Sequence, residues 1–319
     1  MPTLLITGIH GFVGSNLVKA LKDDNVIYGL DIVAPEKEGV ARTLSWDDLD
    51  NNRIPEVDAI IHLAGKAHDT RNKSAADVYF KVNTDLTKKI FDYFTEHTHI
   101  RKFIFFSSVK AAVDKVPGNI LTEDVVPCPV GPYGESKVKA EEYILEKLES
   151  NPGTYKGRDV VILRPCMIHG PGNKGNLNLL YGVISKGIPW PLGAFENRRT
   201  FTSIDNLSFV IKGLLANEVA SGIYNMSDDD ALSTNELISV MCAAMEKSAH
   251  IWKVPKGFIR IMAKTGDVLH LPLNTFRLDK LTENYVVSNK KIKEALGIEQ
   301  MPVRACDGLV KTIRSFHNS

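Results

Sequence analysis

Tyr133 and Lys137 stand four residues apart in Gly131-Pro132-Tyr133-Gly134-Glu135-Ser136-Lys137. On a helix that spacing places a phenol and an ammonium one turn apart on the same face. An unperturbed Tyr titrates at about 10 and is a poor base at neutral pH. A neighbouring cation favours the phenolate and brings proton abstraction from a sugar or alcohol hydroxyl within reach. With a nicotinamide cofactor beside it, such a pair would serve hydride transfer. Taken alone the pair is weak, because Tyr and Lys at this spacing are also ordinary surface neighbours on many helices.

A cofactor of that kind needs a cradle, and the amino terminus has the elements for one. The apolar run Leu4-Leu5-Ile6 leads into Thr7-Gly8-Ile9-His10-Gly11-Phe12-Val13-Gly14, after which Val13, Leu17 and Leu21 recur at helical spacing. A glycine turn between a strand and a helix lets backbone N–H groups approach a pyrophosphate, and the helix N-terminus adds its dipole. The spacing Gly-x-x-Gly-x-x-Gly has one more residue between its first two glycines than the common dinucleotide fingerprint. A second strand, Val26 to Asp31, ends in an acid where a carboxylate can accept hydrogen bonds from the adenosine ribose hydroxyls. Because that carboxylate would repel a 2′-phosphate, NAD is favoured over NADP.

Together with these motifs, His62-Leu63-Ala64-Gly65, Val82-Asn83, Phe105-Phe106-Ser107-Ser108, Leu163-Arg164-Pro165, Gly170-Pro171-Gly172 and Asn197-Arg198-Arg199-Thr200-Phe201 follow in order along the chain. The chain thereby resembles an extended short-chain dehydrogenase/reductase of the NAD-dependent epimerase/dehydratase family, whose members act on nucleotide-diphosphate sugars. The resemblance spans about two-thirds of the sequence and is weakest in the last hundred or so residues. It implies that Ser108 bonds the reacting sugar oxygen, that Tyr133 is the base in oxidation and the acid in reduction, and that Lys137 holds the nicotinamide ribose while keeping the phenol's pKa low. It further implies a cofactor surface of Gly8, Gly11, Phe12, Val13, Gly14, Asp31, Leu63, Ala64, Gly65, Asn83, Ser107, Tyr133, Lys137 and Pro165. For the substrate it points to Ser108, to Asn176 and Leu177 at the diphosphate, to Trp190 and Leu192 along a base pocket, and to Arg199 on the phosphates, where a guanidinium fork is well suited. Trp190 is also readable as a core residue. Arg277 is a weaker match for a second phosphate ligand.

Short apolar runs at Ala59–Leu63, Phe103–Phe106 and Val160–Leu163 alternate with helical patterns. Strands apolar on both faces belong in a parallel sheet covered by helices. The predicted fold is α/β, a doubly wound parallel sheet with a smaller C-terminal substrate-binding lobe. Residues 1–165 are expected to form the cofactor domain and 166–319 mainly the substrate lobe, with a return to the sheet near residues 200–226. Val82, Leu86, Ile90 and Phe94 form one helical stripe, and Ala140, Ile144 and Leu148 another. Ser233-Thr234-Asn235-Glu236 reads as a capping box opening a helix over 237–247.

The 319 residues, 44% hydrophobic, suffice for a large core in two lobes. A net charge of +1 gives no global reason for nucleic-acid or anionic-membrane binding, so any positive site is local. Cys128, Cys166, Cys242 and Cys306 are scattered, with no Cys-x-x-Cys pair, which fits reduced thiols in a cytoplasmic protein. His10, His62, His68 and His169 lie near motifs without a ligand spacing, so no metal is expected. No stretch approaches the ~18 apolar residues of a membrane span.

Sugar 4,6-dehydratases of the family carry Asp-Glu directly after the Ser/Thr, to serve as acid and base beside C5 and C6. Here Val109 and Lys110 occupy those positions. Ser-Ser-Val-Lys, with Gly65-Lys66-Ala67-His68 and Gly172-Asn173-Lys174-Gly175-Asn176, resembles a branch from bacterial polysaccharide pathways. That branch includes 4-epimerases of UDP-hexoses or UDP-N-acetylhexosamines and reductases of 4-keto-6-deoxy sugars. An NAD-dependent UDP-sugar 4-epimerase is the leading expectation and a 4-keto reductase the alternative. A non-catalytic dinucleotide sensor would have no need of the full Ser108-Tyr133-Lys137 set. A homodimer is expected through the Val82-to-Phe94 and Tyr133-to-Leu148 helices, because Phe80, Phe91 and Tyr143 lie off the core-facing stripes.

Overall fold

A computed structural model describes residues 1–33, 35–66, 75–173, 175–269 and 274–317. Ala67, His68 and Lys174, singled out in the sequence, lie outside the described residues. Seven strands form one parallel sheet: β1 (Thr3–Thr7), β2 (Val26–Leu30), β3 (Arg42–Leu44), β4 (Ala59–His62), β5 (Lys102–Phe106), β6 (Asp159–Pro165) and β9 (Gly222–Met226), ordered β3-β2-β1-β4-β5-β6-β9. Two short strands, β7 (Met167–His169) and β8 (Phe201–Ser203), pair separately.

The continuous apolar runs have a direct geometric cause. Successive side chains of a strand point to opposite faces, and here both faces are covered. Leu4, Ile6, Ala59, Ile61, Ile104, Phe106, Val161 and Leu163 join one core with helices Phe12–Leu21 and Ile204–Ala216. Leu5, Ile60, Phe103, Phe105, Val160 and Ile162 join the other, with helices Leu86–Glu96 and Pro132–Ser150. A third core lies in the C-terminal half among helices Asn176–Ile184, Thr234–Ala244 and Ala305–His317. The Ser233/Glu236 capping box is formed, and its helix ends at Ala244, three residues short of the expected limit.

The predicted stripe before β5 needs correction. Residues Phe80–Asp85 form a π-helical turn leading into helix Leu86–Glu96. The wider turn shifts the inward face to Asn83, Thr84, Thr87, Ile90, Phe91 and Phe94, and leaves Val82 and Leu86 half-exposed. Phe91, expected at a dimer surface, is instead in the core, edge-on to Phe103 at 5.0 Å and stacked on Tyr155 at 5.8 Å.

Candidate functional site

The strand order reverses between β1 and β4, so the loops after these two strands diverge and open a crevice at the sheet's carboxyl edge. Glycine is required here by contact as well as by conformation. Gly8 has φ +69°, and a Cβ on it would lie 2.9 Å from the Ala64 nitrogen, while a Cβ on Gly14 would lie 2.5 Å from the Gly8 carbonyl oxygen. Gly11 is the N-cap of helix Phe12–Leu21 and supplies no side-chain cap, which leaves the helix's first amides to a ligand. Phe12 and Val13 form the first turn and are half-buried. Asp31 follows β2 directly, its Oδ2 accepting the His10 N–H at 3.0 Å and its Oδ1 the Ile32 N–H at 2.8 Å. This holds the carboxylate beside the glycine loop. A tight glycine cradle, a bare helix N-terminus and a carboxylate at the neighbouring strand end fit the pyrophosphate and ribose of NAD.

Helix Pro132–Ser150 delivers the Tyr-Lys pair. Gly131, at φ +85°, turns the chain in, and Pro132 begins the helix where its missing N–H costs nothing. Tyr133 and Ser108 share a hydrogen bond, and Ser108 Oγ also accepts the Lys110 N–H at 3.2 Å. Lys137 Nζ donates to the Phe106 carbonyl at 2.8 Å and lies 5.0 Å over the Phe105 ring. Burial pulls the Lys137 pKa down to about 8, opposed by the charge of Glu141. The expectation that Lys137 holds the phenol low is not met in this arrangement. Burial pushes the Tyr133 pKa up, with the Ser108 hydrogen bond opposing it and charge repulsion from the Tyr79 phenol adding to it. The ammonium is directed at the end of β5, where Gly65 also closes in. A Cβ on Gly65 would stand 2.9 Å from Asn83 Oδ1 and 3.2 Å from Lys137 Nζ.

Two buried polar networks hold this corner, and sequence periodicity had not revealed them. In the first, Thr7 Oγ1 accepts the Ala64 N–H at 2.9 Å and contacts His62 Nδ1 at 2.7 Å, while His62 Nε2 meets Thr87 Oγ1 at 2.9 Å. Thr87 gives its own proton to the Asn83 carbonyl at 2.7 Å, so the network assigns Nε2–H as donor to Thr87 and Nδ1 as acceptor from Thr7. Burial, with Lys137 nearby, takes the His62 pKa down to about 3 and keeps the ring neutral. Asn83 then receives the Lys66 N–H at 2.7 Å and donates to Ser136 Oγ at 3.0 Å, and Ser136 donates to the Tyr133 carbonyl at 2.9 Å. The supporting role expected of Asn83 has a physical content: it ties the loop after β4 to the Tyr-Lys helix.

In the second network, Arg164 Nε donates to Glu141 Oε1 at 2.9 Å and Nη2 to Oε2 at 2.5 Å, with Ser107 Oγ on the same carboxylate. Ser107 is thus turned to Glu141. The signal for Glu141 was present in the sequence, since Tyr133, Lys137 and Glu141 continue one i, i+4 series. Pro165 is buried at the end of β6, and Leu63 and Ala64 line the loop after β4.

The substrate residues fare differently. Asn176 is exposed at the start of its helix, whereas Leu177, Trp190 and Leu192 are packed into the third core, because that half needs an apolar centre of its own. Arg199 Nη2 bonds the Lys280 carbonyl and Nε the Glu283 carbonyl at 3.3 Å, and the Glu283 carboxylate lies 3.3 Å from Nη2. Its fork is directed at the end of helix Thr275–Thr282 instead of at open solvent. Cys166 contacts Thr200 Oγ1 at 3.3 Å, and burial pushes its thiol up to about 12, which suits an inert wall.

The chain is similar to known proteins along most of its length. UDP-glucose 4-epimerase of Vibrio cholerae is 29% identical, with 98% of this chain and 95% of the relative aligned. N-acetyl-alpha-D-glucosaminyl-diphospho-ditrans,octacis-undecaprenol 4-epimerase of Escherichia coli O157:H7 is 28% identical over 91% of this chain and 84% of the relative. Among solved structures, UDP-N-acetylglucosamine 4-epimerase from Bacillus cereus superposes with a TM-score of 0.77 over 100% of both chains at 20% identity, which shows the shared fold. A model of the NAD dependent epimerase/dehydratase family matches residues 4–227, so the chain that builds this glycine cradle and Ser-Tyr-Lys corner belongs to that family and is an enzyme.

Proposed function

We propose that the protein is an NAD-dependent 4-epimerase of a UDP-linked hexose or N-acetylhexosamine. The observation that carries the reading is the Ser108–Tyr133 hydrogen bond on a corner whose next two side chains cannot dehydrate a sugar. Val109 is buried among apolar residues, and Lys110 Nζ is engaged with the Asp114 carbonyl at 2.8 Å and the Tyr285 ring at 4.3 Å. Neither position offers the carboxyl pair that elimination of water requires.

Bound NAD would supply a hydride acceptor and donor at C4. Ser108 would hold O4 against the phenol, Tyr133 would take the O4 proton and later return it, and Lys137 would bind the nicotinamide ribose. Residues 1–165 would carry the cofactor and 166–319 mainly the sugar nucleotide, with Asn176 exposed for the diphosphate. A 4-keto reductase would use the same three side chains in one direction. Asp31 tilts the choice, because preference for NAD suits a cofactor recycled within each turnover. Mass spectrometry of the protein and its products decides between them. Retained NAD with equal-mass interconversion of UDP-sugars supports the epimerase; stoichiometric NADH consumption by a 4-keto sugar overturns it.

Asp31→Ala is expected to weaken NAD binding about tenfold or more and to narrow the gap to NADP, since the same carboxylate would bind ribose and repel a 2′-phosphate. Titration of both cofactors against the two proteins measures this, and equal affinity of the unmodified protein for NAD and NADP would count against it.

We also propose a twofold dimer through helices Leu86–Glu96 and Pro132–Ser150. With Phe91 withdrawn to the core, half-exposed Val82, Leu86, Phe80 and Tyr143 remain available, and Val78 is exposed beside them. Light scattering at micromolar concentration is expected to report twice the chain mass. A monomer whose activity is unchanged on dilution removes the basis for the pairing.

A further inference from the structure

Helix Lys256–Leu269 has two apolar faces. Ile259, Ala263 and Gly266 are buried, and Ile259 and Ala263 belong to the third core. Phe258, Ile261, Met262, Val268 and Leu269 are 45–75% exposed. At about 100° per residue these five share an arc of roughly 120°, whose centre lies roughly 130° from that of the buried face. They are therefore a second stripe with no partner among the described residues, rather than the margin of the core stripe. Lys256, Arg260 and Lys264 are exposed on the remaining face, accompanied there by Asp267.

Charge selects the occupant. Residues 252–281 contain six Lys or Arg against two Asp, in a chain of net charge +1, so the rest of the chain is net negative. A second copy seated on the apolar stripe would leave Lys256, Arg260 and Lys264 pointing away from the contact and would offer them no anionic partner. An anionic bilayer meets both requirements, because its acyl boundary accepts Phe, Ile, Met and Leu side chains while its headgroups pair with Lys and Arg. Phe276 on the adjoining helix and Trp252 ahead of Lys256 are exposed as well.

We propose that the Lys256–Leu269 helix is a peripheral docking surface for an anionic lipid bilayer. This is the local positive site that the overall charge balance had left open, and it requires no membrane-spanning helix.

The test is co-sedimentation of the full-length protein with vesicles of phosphatidylcholine and phosphatidylglycerol, against vesicles of phosphatidylcholine alone. Binding to the mixed vesicles is expected to be about tenfold or more tighter and to fall with added salt. The Phe258→Ser/Ile261→Ser and Arg260→Glu/Lys264→Glu variants should each reduce it by about tenfold or more, with far-UV circular dichroism and NAD binding unchanged. Absence of pelleting, equal binding to both vesicle types, or self-association abolished by Phe258→Ser without any lipid binding would overturn the proposal.

Discussion

Tyr133→Phe is expected to lower turnover by about a thousandfold while leaving NAD and nucleotide-sugar affinities nearly unchanged, in keeping with the 10²–10⁴ contribution of a positioned acid–base group. The substitution deletes one oxygen and keeps the ring, whose edge-on contact with Tyr79 at 6.3 Å does not depend on the hydroxyl. Ser108 keeps the Lys110 N–H. The loss should therefore appear in kcat and not in KM. A pH dependence accompanies it. Burial raises the phenol's pKa, so the phenolate is the minor form at neutral pH, and sugar oxidation should accelerate by about tenfold per pH unit below that pKa. Lys137, with its pKa near 8, loses above that point the charge with which it would hold the nicotinamide ribose, so the rise should flatten there. Single-turnover reduction of bound NAD across pH measures both effects. Near-native turnover in the Phe variant, or the same pH slope without the hydroxyl, would assign the proton transfer elsewhere.

What could be read from the sequence followed from how locally each constraint acts. Gly8 and Gly14 answer to contacts with backbone a few residues away or across one strand, and a strand–glycine–helix pattern announces them. The strands were legible because a sheet covered on both faces leaves only apolar side chains in them. The π turn at Phe80–Asp85 was not, since one extra residue in a turn has no signature in a helical period. It moved Phe91 from an expected surface to the core and put polar Asn83, Thr84 and Thr87 on the inward face. Buried polar residues mimic a solvated face in any hydrophobic pattern, and only their partners distinguish them. Those partners are remote: Thr7 from His62 by 55 positions and Arg199 from Glu283 by 84. The same distance hid the direction of Lys137, because a helical spacing fixes which face a side chain occupies but not which carbonyl it finds.

Removing one member of the Arg164–Glu141 pair is expected to be the most destabilising change in the cofactor half. Both side chains are only 1% exposed. Arg164→Met would strand the Glu141 carboxylate with Ser107 as its remaining partner, at a cost of about 3–5 kcal/mol. The Glu141→Leu/Arg164→Met double variant should recover most of that loss. Two buried charges then vanish together, and Arg164 Nη1, buried with no hydrogen-bond partner among the described residues, ceases to be a burden. Recovery would be incomplete, because Ser107 Oγ loses its acceptor. That residual defect sits beside Ser108, so the double variant should fold stably and still turn over more slowly than the unmodified enzyme. Urea denaturation gives the first quantity and kcat the second. If single and double variants are equally unstable, the charges are not what the network supplies; if the double variant has native kcat, Glu141 does not position the serine corner.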